Sequence, residues 1–205
     1  MKRLAILGAS GHGKVIADLA ESVGWDQVVF FDDAWPQIAH NGAWSVVGDS
    51  QALLNQFSGF EGVIVAIGNN RIRAEKLRWL AENDATIVSL VHPSAVISRY
   101  ANLGDGCVVM AGVVINAHTN IADGVILNTG CSVDHDCKIG FCAHISPGAR
   151  LAGSVRVGAL SWLGIGASVK HMVNIGKQVV VGAGAVVVAD LPDGITAVGV
   201  PAKVI

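Results

Sequence analysis

Every sixth residue from Ile97 to Val187 is aliphatic: Ile97, Leu103, Val109, Ile115, Ile121, Leu127, Val133, Ile139, Ile145, Leu151, Val157, Leu163, Val169, Ile175, Val181 and Val187. The run holds for sixteen positions without an insertion. Four residues after each of the first fifteen stands only Ala, Cys, Val, Thr or Ser. Three such hexapeptides make one triangular coil, so the stretch predicts about five coils of a parallel β-helix. The aliphatic side chain fills the axis of the prism. The small residue packs beside it, where little volume remains.

Residues 1–90 follow a different pattern. Short apolar runs at 4–7, 28–31, 62–67 and 86–91 read as strands. Between them, 14–24 places Val15, Ile16, Leu19, Ala20 and Val23 on one helical face and stops at Gly24. Residues 50–57 predict a short helix capped by Ser50, and 71–83 a third helix. Strands alternating with helices predict a small parallel sheet of Rossmann type. The expected organisation is therefore an α/β Rossmann-like domain over 1–90, followed by a β-helix domain with its C-terminal tail over 91–205.

Composition narrows the function. Lys and Arg number 14 and Asp and Glu 16, so no basic surplus points to nucleic acid. The chain is 52% hydrophobic, yet Gly, Asn, Asp or Lys interrupts every apolar stretch before it reaches the ~20 residues that would span a membrane. The short apolar run near Met1 cannot make a signal peptide, which makes a cytoplasmic protein the expectation. Four cysteines in that setting read as free thiols.

The hexapeptide phase sorts the chemically capable residues. Cys131, His135, Cys137, Cys142 and His144 cluster in sequence like zinc ligands. Cys107, Cys131 and Cys137 fall on the small inward position, however, and His135, second after inward Val133, faces out. Ligands on both sides of one β wall do not close a tetrahedron, so no metal is expected. Cys142 falls outward and reads as an exposed thiol, the alternative being an acyl-carrying nucleophile. His135 has two readings: a solvated surface histidine between Asp134 and Asp136, or a general base oriented by a carboxylate. A contact with Asp136 requires a corner, because adjacent residues of a flat strand point apart. Three hexapeptides on from His135 stands Gly153, one coil above it. It is expected to leave its backbone uncovered, with an amide able to donate to an oxyanion. His144, half a coil on, faces another direction and can meet His135 only across a subunit interface.

The N-terminal half carries "GASGHGKV" directly after its first strand. Gly8, Gly11 and Gly13, with Ser10 and His12 between them, suit either a tight structural turn or a phosphate cradle at a helix N-terminus. Asp32 and Asp33 end the second strand, about 20 residues on, where a carboxylate can bind ribose or base. Gly68, Asn69 and Asn70 end the third strand, with Arg73 one turn into a helix. The loop after Asp33, "AWPQIAHNGAW", either recognises the base or folds over an apolar edge.

The repeat from 91 to 205 resembles the hexapeptide-repeat acyltransferases, whose β-helix is left-handed. The glycine turn joined to "NTGCSVDHDCKIG…AHISPGARLAG" extends that likeness over the whole chain. It resembles the sugar O/N-acetyltransferases of sialic acid and bacillosamine synthesis, and within them the UDP-4-amino-sugar N-acetyltransferase branch. The resemblance implies acetyl-CoA as co-substrate, a nucleotide-linked amino sugar as acceptor, and a homotrimer with sites between subunits. It implies His135 as base and Asp136 as its partner, where bacillosamine-type members carry Glu. Asn128, the glycine turn, Asp32, Asp33 and the 68–73 loop match acceptor contacts. His144, Gly153, Ile165, Gly182, Gly184, Pro201 and Lys203 match the acetyl-CoA groove. Neighbouring activities in this group are O-acetylation of sialic or related nonulosonic acids and N-acetylation of GDP-perosamine. A scaffolding trimer without chemistry is the non-enzymatic alternative.

Overall fold

The six-residue spacing becomes a strand-and-corner rhythm in the computed structural model, which describes residues 1–205. The chain divides into two compact units, Met1–Val91 and His92–Ile205.

The second unit is a left-handed parallel β-helix with three faces. One face stacks Val96–Ile97, Val114–Ile115, Ser132–Val133, Arg150–Leu151, Ser168–Val169 and Val186–Val187. The second runs from Asn102–Leu103 through Lys138–Ile139 to Asn174–Ile175. The third runs from Val108–Val109 through His144–Ile145 and Trp162–Leu163 to Thr196–Val198, and Lys203–Val204 closes it antiparallel. Neighbouring strands on a face pair in parallel and lie one coil apart, Ser132 with Arg150 for example.

Every inward aliphatic from Val109 to Val187 is buried, as is every small partner from Cys107 to Ala185. Each such aliphatic contributes about 1.5–3 kcal/mol. The polar small residues are satisfied locally. Thr119 Oγ1 donates to the Asp134 carbonyl at 2.6 Å and Ser161 Oγ to the Gly176 carbonyl at 2.7 Å. The corners put one residue in six into the left-handed region. Between 106 and 184 these are seven glycines and seven others: His118, Asp136, Cys142, Ser154, Leu160, Met172 and Gln178.

The first unit is a five-stranded sheet. Its elements are β1 (Arg3–Leu7), α1 (Gly11–Ser22), β2 (Gln27–Phe31), β3 (His40–Asn41), β4 (Trp44–Gly48), α2 (Ser50–Leu54), β5 (Gly62–Val65) and α3 (Asn70–Glu82). The strand order is β3-β4-β2-β1-β5, parallel except for the β3–β4 hairpin. Several expectations change here. The tryptophan-rich loop supplies the edge hairpin, because Trp44 packs edge-on against Phe30 and donates to Glu21. The run at 86–91 makes only a bridge between Ile87 and Val63 and the short strand Leu90–Val91. The second helix ends early, and its cap is Asp49, whose carboxylate accepts from Ala52 N, rather than Ser50. Val15 is exposed rather than on the packed face of α1.

Candidate active site

His135 and Asp136 occupy the two turn positions of one corner. Asp136 is in the left-handed conformation, φ 59°, and this bends its carboxylate back to the preceding residue. His135 Nδ1 and Asp136 Oδ2 are 2.7 Å apart, with both side chains more than half exposed. Asp134 is engaged elsewhere. It accepts from Asn116 Nδ2 and from the His135 amide, both at 2.8 Å. The bond to Asp136 is the main cause that raises the pKa of His135 above its ordinary value, and the nearby Asp134 and Asp136 charges act in the same direction. With Nδ1–H donating to the carboxylate, Nε2 keeps its lone pair.

Gly153 lies one coil above and is buried, against expectation. The imidazole itself covers it: a Cβ there would sit 2.6 Å from both Cε1 and Nε2 of His135. The missing side chain is what lets the ring lie flat on the next coil. The turn carbonyls follow the same stacking, since Asp136 N donates to Ala117 O, Ser154 N to His135 O and Met172 N to Gly153 O.

His144 sits on the third face, buried, and stacks on Trp162 with ring centroids 5.2 Å apart. Asn128 joins it, not His135. Asn128 Oδ1 accepts from Thr129 N at 2.8 Å, which turns Nδ2 toward His144 Nε2 at 3.2 Å. An amide donor facing Nε2 assigns the imidazole proton to Nδ1. Trp162 Nε1 donates to Ser146 Oγ at 2.7 Å. Further up the same face a groove of about 310 Å³ is lined by Ser146, Trp162, Ile165, Val180, Gly182 and Ala183, among others. Gly184, Pro201 and Lys203 are exposed at this C-terminal end.

In the first unit three loops meet at the carboxyl ends of β1, β2 and β5. Gly8, φ 113°, donates its amide to Phe31 O, and a Cβ there would meet Ile67 at 2.7 Å. Gly13 is packed against the Gly8 carbonyl and Phe30. By contrast, a Cβ on Gly11 or Gly68 would meet nothing within 4 Å. Ser10 is exposed beside them. The Asp32 carboxylate accepts from Ala9 N and Ala34 N, and Asp33 pairs with Lys76 Nζ at 2.6 Å. Asn69 caps α3 through Arg71 N and Ile72 N. Arg73 is buried and donates to Ile67 O, Gly68 O and Asn70 Oδ1. Burial, and then the charge of Arg73, depress the pKa of His12 to about 4, so His12 is neutral at pH 7.

Residues 3–80 match the family described as the PglD N-terminal domain. Over 114 residues the chain is 36% identical to a UDP-N-acetylbacillosamine N-acetyltransferase of Bacillus subtilis (strain 168). That match covers 54% of the chain and 52% of the relative, about half of its length. Among solved structures, the acetyltransferase domain of PglB from Neisseria gonorrhoeae FA1090 is 42% identical, with a TM-score of 0.94 and 100% of both chains covered. PerB from Caulobacter crescentus, solved with CoA and GDP-perosamine, is 43% identical with a TM-score of 0.94, covering 100% of this chain and 98% of that one. The chain belongs to the PglB–PerB type of acetyltransferases.

The residues proposed from the sequence of this acetyltransferase fall into three clusters. His135, Asp136 and Gly153 share one edge; Asn128 and His144 share one face with the groove that holds Ile165 and Gly182, with Gly184, Pro201 and Lys203 at its C-terminal end; the rest lie in the three loops. Most of the groove lining is absent from the sequence-based set, including Ser146 and Trp162. Those two stand one coil below Gly164 and Val180, so following the outward positions of the His144 face coil by coil finds them. Cys142 corrects the other way. It is fully buried in the left-handed corner position, one coil above Gly124 and one below Leu160, and is not an exposed thiol. Burial raises the Cys107 and Cys131 thiols to about 12, so both stay protonated.

Proposed function

We propose that this acetyltransferase moves the acetyl group of acetyl-CoA to the 4-amino group of a UDP-linked 4-amino-4,6-dideoxy sugar. The observation that carries the reading is the 2.7 Å bond between His135 Nδ1 and Asp136 Oδ2 on an exposed corner, with Nε2 turned over Gly153. The amine attacks the thioester carbonyl carbon and the carbonyl electrons move to oxygen. His135 Nε2 takes the ammonium proton, and Asp136 steadies the imidazolium. The Gly153 amide donates to the oxyanion. The oxyanion collapses, the C–S bond breaks, and the thiolate leaves as CoA, collecting the proton from the imidazolium. The burial of all four cysteines, Cys142 among them, supports direct transfer over an acyl-enzyme.

The acceptor's nucleotide lies against Ser10, Gly11 and Gly68, where the backbone is open. Gly8, His12, Gly13, Asp32, Asp33, Asn69, Asn70 and Arg73 shape those loops. Acetyl-CoA follows the Trp162–Gly182 groove toward Gly184, Pro201 and Lys203. In a homotrimer, His144 of a neighbouring subunit, held by Asn128, positions the acceptor or the acetyl carbonyl. The reaction is assigned to the cytoplasm. Incubation with acetyl-CoA and a panel of UDP-, GDP- and dTDP-amino sugars, following free thiol release, tests the reading; release with none of them refutes it. N-acetylation of GDP-perosamine is the second reading, favoured by the 43% identity to PerB over the whole chain.

A further inference from the structure

The corner that carries His135 recurs along its edge of the β-helix. Counting by coils toward the C-terminus gives His135, Gly153 and His171, each one coil from the next. Backbone bonds tie the same column together, since Ser154 N donates to His135 O and Met172 N to Gly153 O. His135 and His171 hold the same place in their corners. Each precedes a residue in the left-handed region, Asp136 at φ 59° and Met172 at φ 61°. What differs is that following side chain. Asp136 ties the His135 ring at 2.7 Å, whereas Met172 offers His171 no carboxylate. His171 is exposed and forms neither a hydrogen bond nor an ion pair.

The lean of His135 brings the two histidines into one neighbourhood. Its ring does not stay at the level of its own coil. Cε1 and Nε2 both lie 2.6 Å from where a Cβ on Gly153 would be. Nε2 therefore stands at the Gly153 level. The next residue of the column on that side is His171, its backbone one coil spacing on, about 4.8 Å. The corner between them contributes only Ala152, Gly153 and Ser154, so no long side chain of that corner stands in the way. A ligand atom held by Nε2 leaves its neighbouring atoms within reach of a hydrogen bond of about 2.8 Å to His171.

We propose that His171 hydrogen-bonds the hydroxyl next to the reacting amine and so orients the acceptor over His135. The inference rests on the reading of His135 as the base for a 4-amino-4,6-dideoxy sugar. In such a ring the amine-bearing C4 has two neighbours. C5 carries the methyl group and C3 carries a hydroxyl, so only C3 presents a polar partner beside the nucleophile. An imidazole has two ring nitrogens that can donate or accept, which suits a hydroxyl that does both. The contact involves the sugar and the β-helix alone.

The test pairs His171 variants with two acceptors, the nucleotide-linked amino sugar and its 3-deoxy analogue. Removing the contact from either side should cost about tenfold in kcat/KM for the acceptor. Removing it from both sides should cost no more than removing it from one. His171→Ala is thus expected to lose about tenfold on the full acceptor and to stay within about twofold of wild type on the 3-deoxy acceptor, with the KM for acetyl-CoA unchanged. His171→Gln, which keeps a donor and an acceptor, should recover part of the loss that His171→Leu retains. Equal losses on both acceptors, a leucine variant as active as the glutamine one, or no loss at all overturns the contact while the reaction itself stands. If wild type acetylates neither acceptor, the reading of His135 falls and the contact with it.

Discussion

The two units fix their side chains by opposite means. In the β-helix, direction follows from phase: inward at Val133 and Cys137, outward at His135, all from one count of six. A side chain's neighbours there come from the coils above and below. In the α/β unit, loops turn their polar groups back on themselves. Arg73 is spent on the Ile67 and Gly68 carbonyls, Asp32 on backbone amides and Asn69 on a helix end. The β-helix therefore presents chemistry on the outside of a rigid core. The α/β unit uses its charged residues to build a surface whose open points are the glycines Gly11 and Gly68.

Four measurements would break or sharpen that contrast. The largest effect is expected from His135→Ala, which should lower kcat about 10²- to 10⁴-fold while thermal stability and acetyl-CoA affinity stay unchanged. An outward side chain that proved necessary for folding would undo the distinction between core and edge. The next concerns His12 in the α/β unit. Its folded pKa of about 4 lies below the unfolded value of 6.5, so the unfolded chain binds the extra proton. Stability should fall as pH drops from 6.5 toward 4, by about 3 kcal/mol at most. His12→Gln should flatten that slope in denaturant melts followed by tryptophan fluorescence at stepped pH.

Gly153→Ala comes third. The added methyl meets the His135 ring, so kcat should drop about 10- to 100-fold with little change in melting temperature. A wild-type rate would mean the ring need not lie on Gly153. Asp136→Asn is the smallest. It removes the bond that raises the His135 pKa. The acid limb of the kcat/KM profile should move to lower pH, and the plateau should fall about tenfold. An unmoved limb would separate the base from its partner.

The β-helix is legible in the sequence almost completely, because one unbroken period specifies both core and direction. The corner contact of His135 with Asp136 is legible only as a condition to be met. Which residues accept a positive φ is not legible, since half of the corners from 106 to 184 are not glycine. Cys142 therefore reads as outward from its phase alone, although its corner buries it. Gly153 reads as bare for a similar reason: spacing says which residue stacks, not whether a ring will lie on it. In the α/β unit, periodicity finds β1, β2, β5 and the helices. The Trp44 hairpin escapes it, because side-chain packing on Phe30 decides its structure, not alternation along the strand.

The non-glycine corners have one more consequence. Core and active site answer to different moduli. Losing one hexapeptide between His135 and Gly153 would leave every inward position aliphatic and the prism intact. It would also turn everything downstream by a third of a revolution, and a different corner would then roof the imidazole. Only a change of three hexapeptides returns the same column to the same edge. Within this architecture, a gain or loss of one hexapeptide is silent for the fold and decisive for the reaction. Variation in coil number that preserves activity must therefore arise outside the interval from His135 to Gly153.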